Sequence, residues 1–122
     1  MNLALRMIGR FLYAVPLIIF GINHFIYTQS KIGSVPDYMP LQIFWVYFTG
    51  IALIAAGVSI ITNIHAYVAG LLLALMLILF VIMIHLPGVL IPENMHASMT
   101  PFLKDTALAG GAIFIAGHSK KH

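Results

Sequence analysis

The sequence predicts an all-α integral membrane protein, a bundle of four transmembrane helices with both ends on the cytoplasmic side. Three observations predict it. Hydrophobic residues make up 61% of the 122 positions and charged ones only 7%, against about 25% charged in soluble domains. Mean hydropathy is +1.04. Four segments approach the roughly 20 apolar residues that cross a hydrocarbon layer about 30 Å thick.

The first span is expected from about Met7 to Tyr27. Arg6 and Arg10 ahead of an apolar run resemble a signal peptide, but the uncharged stretch from Phe11 to Ser30 is too long for one and lacks a small-x-small cleavage pattern. It reads as a retained helix, with Pro16 freeing a carbonyl near Leu12 and suggesting a kink. Gly33, Pro36 and Pro40 make residues 30–40 a structured turn. The second span is placed at about Leu41 to Ile61 and the third at about Ala66 to Leu86, joined as a hairpin by Thr62 to His65. Leu71 to Leu79 is apolar on every face. Pro87, Gly88 and Pro92 are expected to end the third span and open a loop to about Met99. The fourth span, about Thr100 to Gly117, takes Thr100 as N-cap and Pro101 as first helical residue. The whole chain, 1–122, is one domain.

Orientation follows from the Lys and Arg residues. Arg6, Arg10, Lys120 and Lys121 fall on one face of an even-numbered bundle, which is therefore cytoplasmic. Lys31 and Lys104 lie outward with all three acids, Asp37, Glu93 and Asp105. The net charge of +3 comes from scattered residues, so a nucleic-acid face is excluded. With no cysteine, the chain has no disulfide, thiolate metal site or thiol nucleophile, and redox chemistry would need a cofactor or partner.

Polar side chains at membrane depth need partners or a purpose. The predicted topology gathers them at the outer end: Asn23 and His24 from the first helix, Gln42, Trp45 and Tyr47 from the second, His85 from the third, Lys104 and Asp105 from the fourth, and Asp37 and Tyr38 from the loop. His24 shares a face with Gly21, Leu17, Tyr13 and Arg10. It is either a ligand-binding or proton-handling residue or a structural histidine bonded to a neighbouring helix. His85 has the same two readings and sits nearer water. At equal depth the two histidines would sandwich a haem iron, the alternative cofactor to a quinone. Lys104 and Asp105 point about 100° apart. They read as a bundle-stabilising ion pair, with Lys104 snorkelling or meeting Asp37, or Lys104 as a contact for an anion or a quinone headgroup. Trp45, Tyr38 and Tyr47 fit an interfacial aromatic belt. Gly50, Leu53 and Gly57, then Gly70 and Ala74, then Gly110 and Gly117 beside Ala109, Ala112 and Ala116, are expected to pack helices closely.

GINHF at Gly21 to Phe25, VPDYMP at Val35 to Pro40, VYFTGIALIAAG at Val46 to Gly57 and ALAGGA at Ala107 to Ala112 occur in that order. Together they resemble the DoxX (DoxX-like) family of small membrane proteins. The resemblance covers almost the whole chain and implies a four-helix bundle, a multi-pass location in the bacterial cytoplasmic (inner) membrane, and a loose link to redox metabolism. Relatives include a subunit of a thiosulfate:quinone oxidoreductase and proteins of oxidative-stress complexes, while many members have no assigned activity. The expected function is a redox-associated membrane subunit binding quinone or lipid in a pocket formed by Asn23, His24, Asp37, Tyr38, Gln42, His85, Lys104 and Asp105. Its partners would be the lipid bilayer, a redox protein and a second copy of the chain, with no nucleic acid. The alternatives are a non-catalytic scaffold or assembly factor and a bis-histidine haem protein. A transporter is less well matched, since no run of charges crosses the bilayer.

Overall fold

The structure is a computed structural model that describes residues 3–27 and 42–119. The expected turn at residues 30–40, with Lys31, Asp37 and Tyr38, lies outside the described residues, as do Lys120, Lys121 and the side chain of Gln42. The described residues are helical, with short turns between helices. Helix α1 is Leu3–Ile26, α2 is Gln42–Thr62, α3 is Ala66–Leu90 and α4 is Met95–Gly117.

Three helices are long and apolar enough to cross a membrane, Leu3–Ile26, Ile43–Thr62 and Ala66–Leu90. Their outward faces carry large apolar side chains such as Leu12, Ile51, Val58, Val68 and Ile82. Water would not tolerate so much exposed hydrocarbon, whereas lipid does. This is the construction of a membrane protein. Helix α4 is of similar length but carries Lys104 and Asp105 and is not among the three.

The ends of the helices correct the sequence in three places. Helix α1 starts at Leu3 rather than Met7, because Arg6 and Arg10 limit the apolar run without breaking a helix. Helix α3 does not stop at Leu86. Val81–His85 forms a π-helical turn in which the Leu86 N–H donates to the Val81 carbonyl five residues back, and a last α-turn, Leu86–Leu90, follows. The wider turn admits Pro87, which has no N–H to give. Helix α4 starts at Met95, not Thr100, so Thr100 and Pro101 lie inside it. A Cβ on Gly88 would overlap the Ser98 hydroxyl, so this glycine lets the end of α3 sit directly on the first turns of α4. That contact helps keep 95–100 helical where the sequence suggests loop.

The hairpin between α2 and α3 is as expected. Asn63 (φ 58°) and His65 (φ 55°) are both left-handed and turn the chain within three residues, a conformation Asn and His adopt more readily than most residues. The helices form two close pairs, α1 with α2 and α3 with α4. In the first, a Cβ on Gly21 would come within 2.7 Å of the Gly50 carbonyl oxygen and 2.6 Å of Ile54. In the second, a Cβ on Gly70 would lie 2.9 Å from the Ala112 carbonyl oxygen. Small residues let the backbones touch, as in membrane helix pairs generally. Ala109, Ala112 and Ala116 face inward and are buried, while Gly110 and Gly117 face open space instead of a neighbouring helix. Leu17 and Ile60 are the largest fully buried side chains of the shared core.

Candidate functional site: a cavity between the helix pairs

The two helix pairs pack less closely on each other than within themselves, and a cavity of about 780 Å³ runs between them. Its cause can be read along α2. Thr49, Ala52, Ala56 and Ser59 recur at helical spacing and all line it. These small side chains do not reach across to Ala69, Met76 and Phe80 of α3. The walls are almost wholly apolar. Polar groups gather at one end, where His24 of α1, Trp45 of α2, His85 of α3, and Lys104 and Asp105 of α4 border the space. All four helices contribute.

Asp105 organises that end. It is 6% exposed, the most buried charged residue among those described. Its Oδ2 accepts from His85 Nε2 at 2.8 Å, and its Oδ1 lies 3.4 Å from Lys104 Nζ. The carboxylate thus ties α4 to α3 and neutralises the neighbouring lysine, the arrangement that makes a charge tolerable at depth. The Lys104 side chain is half exposed and its ammonium lies 4.9 Å from the centre of the Phe20 ring, a cation–π contact to α1. Lys104 pairs with its own sequence neighbour, although the two Cβ atoms diverge, because its long stem folds back. His24 donates from Nδ1 to the Phe20 carbonyl, 2.7 Å away. The His24 backbone lies in the close contact of α1 with α2, since a Cβ on Gly50 would meet the His24 Cβ at 3.0 Å.

Four of the eight residues expected in the pocket therefore border one cavity: His24, His85, Lys104 and Asp105. Asn23 is half-buried on α1 but does not line it, and its carbonyl accepts the Tyr27 N–H. Asp37, Tyr38 and the side chain of Gln42 lie outside the described residues. Tyr47 stacks on Phe25 with ring centres 5.3 Å apart, away from the cavity. The residues missed by sequence reasoning are Phe20 and the small-residue face of α2, Thr49 to Ser59. The spacing of that face was visible, but small residues normally signal close packing rather than a gap.

The opposite end is held by side chains bonded mainly to backbone carbonyls. The Arg10 guanidinium donates to the Ile60 carbonyl (3.1 Å) and to the Ser119 hydroxyl (3.3 Å), and that hydroxyl donates to the Ile115 carbonyl (2.7 Å). A cation thus meets the last turns of α2 and α4, where unpaired carbonyls and the helix dipole favour it. One turn further along α1, the Tyr13 hydroxyl donates to the Leu108 carbonyl, and the ring lies against Gly111.

Comparison with protein-family models, with curated proteins and with solved structures gives no match.

Proposed function

We propose that this chain is a four-span subunit of a bacterial cytoplasmic membrane, of the DoxX-like kind, that binds an isoprenoid quinone between its helix pairs. The observation that carries the reading is the shape of the cavity: an apolar slot of about 780 Å³, large enough for a quinone ring and part of its tail, ending in His24, His85, Lys104 and Asp105. The ring sits at the polar end, with Lys104 donating to a ring oxygen, and the tail lies along the small-residue face of α2. Electrons come from or pass to a partner redox protein, and a histidine exchanges the accompanying proton. Helix α4 is the fourth span, since its two charges are paired rather than turned to lipid, and the flanking Arg and Lys residues put both ends in the cytoplasm.

Trp45 is the single tryptophan and borders the cavity, so quinone binding is read by quenching of its fluorescence. Titration of the purified protein with menaquinone and ubiquinone should give saturable quenching that His24→Ala weakens. No binding, or binding indifferent to His24→Ala, overturns the reading. The Asp105 ties to His85 and Lys104 favour one other reading, a scaffold in which the polar end only locks the bundle. In that case Asp105→Ala lowers folded yield and no quinone binds. A haem protein would instead purify red, with a Soret band.

A further inference from the structure

A hydrogen bond to a group that can only accept decides which nitrogen of a neutral imidazole carries the proton. His85 Nε2 faces Asp105 Oδ2, and the other carboxylate oxygen faces the Lys104 ammonium. A carboxylate so placed accepts from both, so His85 carries its hydrogen on Nε2 and keeps a lone pair on Nδ1. Among the described residues Nδ1 has no hydrogen-bond partner. No buried side-chain nitrogen or oxygen among them lacks one either. His85 Nδ1 is therefore not sealed within the protein, and His85 is one of the residues that border the cavity. The Phe20 carbonyl fixes His24 in the same way, with the hydrogen on Nδ1 and acceptor character on Nε2.

At the polar end His85 thus offers an imidazole acceptor and Lys104 an ammonium donor, while His24 and Trp45 have contacts of their own. An oxidised quinone has two carbonyl oxygens and can only accept. It satisfies Lys104 and sets its other oxygen against a lone pair. A quinol has hydroxyls, which donate to an imidazole nitrogen and still accept from Lys104. We infer that the site selects the reduced, hydroxyl-bearing ring over the oxidised one, with His85 Nδ1 as the acceptor and Asp105 as the residue that positions it. This rests on the quinone reading above.

The test is anaerobic calorimetric titration of the full chain in detergent with a short-chain ubiquinone, its quinol and the quinol dimethyl ether, which keeps the shape and lacks the donors. The quinol should bind about tenfold more tightly than either of the others, the worth of one satisfied hydrogen bond. His85→Phe should bring quinol and quinone to similar affinity. Asp105→Asn should shrink the preference, because an amide can donate to Nε2 and turn the ring's N–H toward the cavity, and Asp105→Glu should restore part of it. Equal affinity of the wild-type protein for quinol and dimethyl ether, or a preference that survives His85→Phe, overturns the inference while leaving quinone binding intact. Binding of none of the three overturns the quinone reading itself. The ether comparison needs no variant, so it decides the matter even if His85→Phe does not fold.

Discussion

The two ends of the bundle handle polar side chains in opposite ways. At the end marked by Arg10, donors meet carbonyls: Arg10 reaches Ile60, Tyr13 reaches Leu108 and Ser119 reaches Ile115. Each bond crosses between helices or closes a helix terminus, and the chain packs tightly around Leu17 and Ile60. At the end marked by His85, the tie is between side chains, Asp105 with His85 and Lys104, and it stands beside an open slot. Backbone partners use up a polar group. A carboxylate shared between a histidine and a lysine leaves each with hydrogen-bonding capacity to spare, and that is why the proposed ligand is placed at the second end.

This contrast can be broken by substitution. Asp105→Ala should have the largest effect on stability, about 2–3 kcal/mol, since it strands a lysine and a histidine at depth; the midpoint of denaturant unfolding in mild detergent measures it. An unfolding midpoint equal to wild type would show that the ties carry no load. Gly21→Ala should follow, at about 1–2 kcal/mol, because the new methyl meets the Gly50 carbonyl oxygen at 2.7 Å and cannot be accommodated by a rotamer change. Arg10→Met removes two hydrogen bonds at the Arg10 end and should cost about 1 kcal/mol. It should leave quinone affinity unchanged, and a loss of affinity would mean that the two ends are not independent. Gly110→Ala meets nothing within 4 Å, so it should raise stability by a few tenths of a kcal/mol through the unfolded chain alone. A loss there would reveal a contact with another chain.

Much of this was legible before the structure. Hydropathy marks three of the four helices directly, and the positions of His24, His85, Lys104 and Asp105 at the ends of helices running in alternating directions bring them to one place. The stretch Leu71 to Leu79 is apolar on every face, and the structure divides it: Leu73, Ala74 and Leu77 are buried, Leu72, Leu75 and Leu79 border the cavity, and Leu71 and Ile78 are exposed away from it. Composition cannot make that division, because lipid and protein interior favour the same side chains. The π-turn at Val81–His85 was not legible, since Pro87 and Gly88 read as a stop in any local pattern. The wider turn, which admits Pro87, and the packing of Gly88 against Ser98 together explain why helix lies on both sides. The role of Arg10 was half legible. Its charge supplies only an expected orientation, and its contacts with Ile60 and Ser119 depend on which helix ends meet.

The central claim is that a quinone ring lies at the His85 end and not at the Arg10 end, and photolabelling tests it most directly. A short-chain azidoquinone irradiated with the purified protein, followed by peptide mapping, should label α3 and α4 around His85 and Lys104, with Phe20 of α1, and Ala52→Phe should suppress the label by filling the slot. Labelling around Arg10, Tyr13 and Ser119, or labelling confined to outward-facing residues and untouched by Ala52→Phe, would contradict the account.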